Sequence, residues 1–131
     1  MSNLCRRYTL GLLVGISLFG IVGCAEEIPP LDPNSPIDIV VSAMMITVEN
    51  KAGLALNNVS VAIEPIGGAT QFVSFVGRME NSSKKDIMLG SFGGRDGTPF
   101  NLRVVRPKLV RVTAEDINST DYDIVAPWAP Q

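Results

Sequence analysis

VENKAGLALNNVSVAIEP, residues Val48 to Pro65, reads as strand, turn and strand. Val59, Val61 and Ile63 alternate with Ser60, Ala62 and Glu64 along the run Val59 to Ile66. Successive side chains of a strand point to opposite faces, so this run describes a strand with one face against a core and the other against water. Before it, Asn50-Lys51-Ala52-Gly53 has the chemistry of a tight hairpin turn, with Gly53 free to take a positive φ. Upstream, Ile39 to Glu49 forms one apolar run, with Met44, Ile46 and Val48 on one face and Met45, Thr47 and Glu49 on the other.

The same texture continues to the C-terminal end. Gln71 to Met79 carries Phe72, Val73, Phe75 and Val76, apolar groups on both faces, as expected of a central or covered strand. Ile87 to Leu89 is a short run ending at Phe92. Asn101 to Val105 reads as a fifth strand with Leu102 and Val104 inward, broken by Arg106-Pro107-Lys108. Leu109 to Glu115 sets Val110, Val112 and Ala114 opposite Arg111 and Thr113, and Asp121 to Ala126 closes the series before Pro127, Trp128 and Pro130. No segment sustains a helical period. About seven short strands with turns every 8–12 residues predict an all-β fold, an antiparallel sandwich of immunoglobulin or fibronectin type III kind. Val48 to Pro65 resembles the first hairpin of small Ig-like modules on bacterial exported proteins. The cysteine pair of antibody domains is missing. Sandwiches host many unrelated functions, so the resemblance implies a fold and no activity.

The N-terminal region is of another kind. Arg6 and Arg7 precede an uncharged run from Tyr8 to Gly23. That run is shorter than the ~20 residues a membrane-spanning helix needs, and its positive flank and small terminal residues describe a signal peptide, residues 1–23. Ile21-Val22-Gly23-Cys24 resembles the lipobox of bacterial lipoproteins. The resemblance implies cleavage between Gly23 and Cys24, diacylglycerol on the Cys24 sulfur, and an N-acyl chain such as palmitate on the new terminus. A thiolate is the nucleophile that such an S-alkylation requires, and several acyl chains hold a protein stably where one holds it marginally. Ala25 follows the cysteine; aspartate there tends to retain lipoproteins at the inner membrane of enteric bacteria, so alanine points to the outer membrane of a Gram-negative source. The implied location is a lipid anchorage at the cell membrane or outer membrane.

Ala25 to Asp38, AEEIPPLDPNSPID, holds four prolines, four acids and no base. Proline fixes φ and lacks an amide donor, which favours extended chain. Residues 24–38 are therefore expected to be a lipidated tether, and residues 39–131 the sandwich domain. The other reading of the tether is a proline-rich ligand.

Of the two cysteines, Cys5 would leave with the signal peptide and the lipid would occupy Cys24, so no disulfide is expected. The absence of histidine excludes Ser-His-Asp, Cys-His and histidine-ligated zinc sites. A net charge of −2 does not indicate a nucleic-acid binder. No cofactor or metal is expected. Asp116, Asp121 and Asp123 lack the glycine-bearing acidic loop of an EF-hand, and Ser82-Ser83-Lys84-Lys85 lies in a polar loop expected over Glu80 to Asp86, where lysine stays hydrated and is no base. Arg95, Arg103, Arg106, Lys108 and Arg111 fall in one stretch with the single acid Asp96. They form either a basic stripe for an anionic partner or a solvated strand face cross-paired with acids elsewhere, and the alternation of Arg103 and Arg111 with inward valines favours the second. The strongest loop signal is Phe92 to Phe100, FGGRDGTPF, where Phe92 and Phe100 are expected to pack inward and Arg95, Asp96 and Thr98 to form a partner-binding loop.

The function expected from these features is a lipid-anchored, non-enzymatic structural or interaction module of the cell envelope, with the membrane and an envelope protein or polysaccharide as partners. The alternatives are a carbohydrate- or small-ligand-binding module and a hydrolase working through carboxylates alone. Oligomeric state is not legible in the sequence.

Overall fold

The computed structural model describes residues 27–67 and 70–130. Seven strands follow in order: β1 (Ile37–Val41), β2 (Met45–Asn50), β3 (Leu56–Pro65), β4 (Phe72–Met79), β5 (Lys84–Met88), β6 (Pro107–Asp116) and β7 (Asp121–Pro127), with a 3-10 turn at Leu89–Ser91. They form two antiparallel sheets, ordered β1-β2-β5 and β4-β3-β6-β7. Hairpins join β1 to β2, β3 to β4 and β6 to β7, while β2–β3, β4–β5 and β5–β6 cross between sheets.

Alternation sets which side chains meet between the sheets. Ile37, Ile39 and Val41 of β1 and Ile46 and Val48 of β2 face Val59, Val61 and Ile63 of β3 and Val110 and Val112 of β6 in one buried cluster. Ser60, Arg111 and Thr113 lie on the other face of the larger sheet, toward solvent. β3 bends at an irregularity where Asn58 takes φ +53°. The irregularity adds twist and shifts the alternation by one, so that Leu56 and Val59, three positions apart, both face the core.

Five sequence expectations are corrected. The loop expected over Glu80 to Asp86 stops at Ser83, and Lys84 to Asp86 pair with β2 as the start of β5. The run Ile39 to Glu49 is two strands, turned at Ser42 by its hydroxyl, which donates to the Met45 carbonyl at 3.0 Å and accepts from the Met45 amide at 3.1 Å. Met44 thereby leaves the face of Ile46 and Val48 and is exposed. Asn50 to Gly53 is no hairpin. Gly53 does take φ +84°, but the segment carries the chain from one sheet to the other. β4 is an edge strand: Phe72 and Val76 pack on the core while Val73 and Phe75 are exposed. Asn101 to Val105 is a turn, with the Val104 and Val105 amides both donating to the Asn101 carbonyl, and Leu102 and Val104 are exposed. Its alternation is real, but it pairs with no strand of either sheet.

The registers sort the connections between two ends. The near end holds the approach to β1, the β2–β3 and β4–β5 connections and the β6–β7 turn. The far end holds the β1–β2 turn, the β3–β4 hairpin, the long β5–β6 connection and the residues after β7. The segment before β1 is not all solvated spacer. Leu31 packs against the core, Ser35 is buried with its hydroxyl donating to the Ile37 carbonyl at 2.8 Å, and the Lys51 Nζ donates to the Pro33 carbonyl at 3.0 Å. The strand itself starts at Ile37, two residues ahead of the apolar run that marks it in the sequence.

Candidate functional site

Phe92 to Phe100 folds back on itself at the far end. The Phe100 amide donates to the Phe92 carbonyl at 2.8 Å, the Gly94 amide to the Thr98 carbonyl at 2.8 Å, and the Gly97 amide to the Gly94 carbonyl at 2.9 Å. Gly97 sits at φ +87°, a conformation that costs a residue with a Cβ. The Asp96 Oδ1 accepts the Thr98 amide at 3.0 Å and closes the tip. That hydrogen bond from Thr98 is the main reason the Asp96 carboxyl lies below its ordinary range, since it favours the charged form.

Two further contacts hold this loop against β4. Gly93 and Val73 exchange both backbone hydrogen bonds, at 2.9 and 3.1 Å, so the loop covers the start of an otherwise open sheet edge. Below it, Phe92 and Phe100 are buried, as their bracketing of the loop leads one to expect. The Phe100 ring meets Phe72 edge-on at 5.3 Å between centroids and Trp128 at 6.1 Å. Trp128 is thus packed against the core beneath the loop and is not an exposed platform.

Between loop and β4 lie two contiguous shallow hollows of 430 and 480 Å³, which share Thr70, Gly94 and Arg95. Gln71 and Val73 border the first, and Phe72, Asp96 and Thr98 the second. Arg95, Asp96 and Thr98 therefore stand together on one groove wall. Thr70, Gln71 and Phe72 form the other wall, which sequence reasoning missed: they lie more than twenty positions away and carry no motif. Arg95 is exposed and has no carboxylate partner among the described residues. The groove can offer a guanidinium, two hydroxyls, an amide and a ring edge to a ligand.

The basic stretch divides. Arg111 reaches both oxygens of Asp123 at 2.8 Å and Glu64 at 3.3 Å, and its pKa is raised chiefly by the bond to Asp123. This is the cross-paired strand face that alternation favours. Arg95, Arg103, Arg106 and Lys108 make no ion pair among the described residues and all lie at the far end. Arg103, expected on a strand beside inward valines, lies instead on the Asn101–Val105 turn next to the exposed Val104.

The remaining polar clusters have structural roles. Asp116 caps the β6–β7 turn, its Oδ1 accepting the Asn118 and Thr120 amides at 2.8 and 3.0 Å and its Oδ2 the Tyr122 hydroxyl at 3.0 Å. Ser83 Oγ donates to the Glu80 carbonyl at 2.6 Å at the near end. No group of three metal-ligating side chains occurs among the described residues. Gly23 and Cys24, the expected cleavage and acylation positions, lie outside the described residues. No protein-family model, curated protein or solved structure matches this chain.

Proposed function

We propose that this chain is a lipid-anchored protein of the cell envelope, a non-enzymatic interaction module that presents the loop Phe92–Phe100 to a partner. The anchor is Cys24, carrying diacylglycerol and an N-acyl chain after cleavage behind Gly23. The division into three and four strands supports the finer assignment of the domain to the Ig-like or fibronectin type III-like sandwiches. One observation carries the reading: the chain enters the sandwich at the near end, and the groove wall of Arg95, Asp96 and Thr98 stands at the opposite end. A tether at one end and a binding loop at the other is the layout of a module that reaches away from its anchor.

The groove favours a second reading, a carbohydrate- or small-ligand-binding module. Thr70, Gln71 and Thr98 can bond hydroxyls, and the Phe72 ring borders the same space. A carboxylate-only hydrolase draws no support from it, since Asp96 is the one carboxylate among the residues that line the hollows.

The test begins at Cys24. Mass spectrometry of the membrane-bound protein should find an acylated N-terminal cysteine, and Cys24→Ser should leave an unprocessed precursor. An intact Met1 in the wild-type membrane fraction would overturn the anchor. Capture of a partner in cells by cross-linking should fall with Arg95→Ala, and a thermal-shift response to a neutral glycan would favour the second reading over the first.

A further inference from the structure

Nine large apolar side chains are exposed among the described residues, and five of them gather at the far end. Val104 is 81% exposed at the crest of the Asn101–Val105 turn, with Leu102 beside it at 43%. Ile66, 62% exposed, adjoins them, because its amide donates to the Arg106 carbonyl at 2.9 Å. Met44 and Met88, 64% and 47% exposed, occupy the same end of the smaller sheet. Arg103, Arg106 and Lys108 lie between or beside these groups without carboxylate partners among the described residues. Scattered exposed aliphatics need no explanation, but a cluster mixed with unpaired cations does.

We infer that the far end is a docking surface for an anionic phospholipid bilayer, with Ile66, Leu102 and Val104 entering the headgroup region and Arg103, Arg106 and Lys108 meeting phosphates. A soluble polyanion would account for the cations and leave the aliphatic crests unexplained. A protein partner would need a preformed pocket for each projecting side chain, whereas a fluid interface accepts them anywhere. Apolar burial and attraction to anionic lipid reinforce each other in such surfaces. The opposite end carries Glu49, Glu80, Glu115 and Asp121 together with Lys51, Arg78, Lys84 and Lys85, with Glu49 and Glu80 ion-paired to Lys84 and Arg78. Its charges therefore balance, and Arg103, Arg106 and Lys108, unpaired among the described residues, set the far end apart. The inference does not depend on acylation of Cys24.

The full chain, held by its N-terminal region in neutral phosphatidylcholine vesicles, is mixed with dye-labelled vesicles containing phosphatidylglycerol, and capture is read by flotation. Protease access gives the outward-facing fraction. The expected result is capture of phosphatidylglycerol vesicles, none of neutral ones, and loss on raising salt. Reversing Arg103, Arg106 and Lys108 to Glu should lower capture at least tenfold, since each cation near such a surface is worth roughly a fivefold change. Leu102→Asp with Val104→Asp should lower it comparably, whereas Lys84→Glu with Lys85→Glu, away from the far end, should not. Circular dichroism verifies each fold, with Arg→Gln and Val104→Ser as milder substitutes. Absent capture, or capture indifferent to the far-end variants, would overturn the proposal. Capture lost with the cations but kept by Leu102→Asp with Val104→Asp would overturn it in favour of a polyanion site.

Discussion

The side-chain amide of Asn50 donates to the carbonyl of Met79, 3.2 Å away, and so ties the last residue of β2 in one sheet to the last residue of β4 in the other. The same amide reaches the Leu54 carbonyl at 2.7 Å and the Glu80 carbonyl at 3.1 Å, and its Oδ1 accepts the Ala52 amide at 3.0 Å. Asn50 is fully buried, yet every polar atom it carries is bonded. A buried amide that bonds the last carbonyl of β4 and one carbonyl in each of the β2–β3 and β4–β5 connections sets how the sheets meet at the near end.

Asn50→Ala should therefore destabilise by about 1–3 kcal/mol, the cost of leaving buried acceptors unpaired. Asn50→Asp should cost more at neutral pH, because a carboxylate cannot donate to three carbonyls. Part of that loss should return in acid, where the introduced carboxyl regains a proton. Urea unfolding at both pH values reads the difference, and equal losses would argue against the donor role.

Asp116 and Tyr122 predict stability limits at both ends of the pH scale. The Asp116 carboxyl is held below its usual range, first by the Thr120 amide and also by the Asn118 amide and the Tyr122 hydroxyl. Its contribution is complete above the unfolded value of about 4 and is lost as pH falls through the lower folded value. The Tyr122 hydroxyl is shifted upward by its bond to Asp116. That contribution is complete below about pH 10 and is lost as pH rises through the higher folded value. Asp116→Asn should flatten the acid limb, and Tyr122→Phe the alkaline one, in unfolding curves measured across pH.

Phe92 and Phe75 should respond in opposite ways to the same change. Phe92 is fully buried beneath the far-end loop, so Phe92→Ala should cost about 3–5 kcal/mol. Phe75 is 70% exposed on an edge strand, so Phe75→Ala should stay within about 0.5 kcal/mol. Denaturant midpoints of the two variants would show whether the loop is part of the cooperative core.

Arg95 and Asp96 are best changed one at a time. Asp96 accepts the Thr98 amide, so Asp96→Ala should lower the melting temperature slightly through the lost hydrogen bond at the turn. Arg95 makes no ion pair among the described residues, so Arg95→Ala should leave the melting temperature unchanged while lowering partner capture. A melting shift from Arg95→Ala would point to a structural role.

The approach to β1 gives a graded test. Removing Glu27 to Pro30 should leave stability nearly unchanged. Extending the deletion through Ser35 should lower it, because Leu31 packs on the core and Ser35 bonds within β1. Thermal unfolding of the two deletions should separate spacer from packed segment.

Some of this was determined by sequence alone. The inward phase of Val59, Val61 and Ile63, and of Val110 and Val112, needs no partner to be read, because a strand repeats every two residues whatever it pairs with. The burial of Phe92 and Phe100 followed from their bracketing of a glycine-rich loop. Local patterns failed where a choice belonged to the whole sheet. Leu102 and Val104 alternate as well as any strand residues, but strand formation needs an open edge to bond to. The loop before them already occupies the start of the β4 edge through Gly93 and Val73. Phe72 to Val76 looked central because both faces are apolar; only the sheet order places it at an edge, and only the packing leaves the face of Val73 and Phe75 uncovered. The pairing of Arg111 with Asp123 and Glu64, the opposing groove wall at Thr70 to Phe72, and the gathering of far-end cations and aliphatics were likewise decided by tertiary structure. Each joins residues distant in sequence, and periodicity along a chain carries no information about which distant segments the sheets bring side by side.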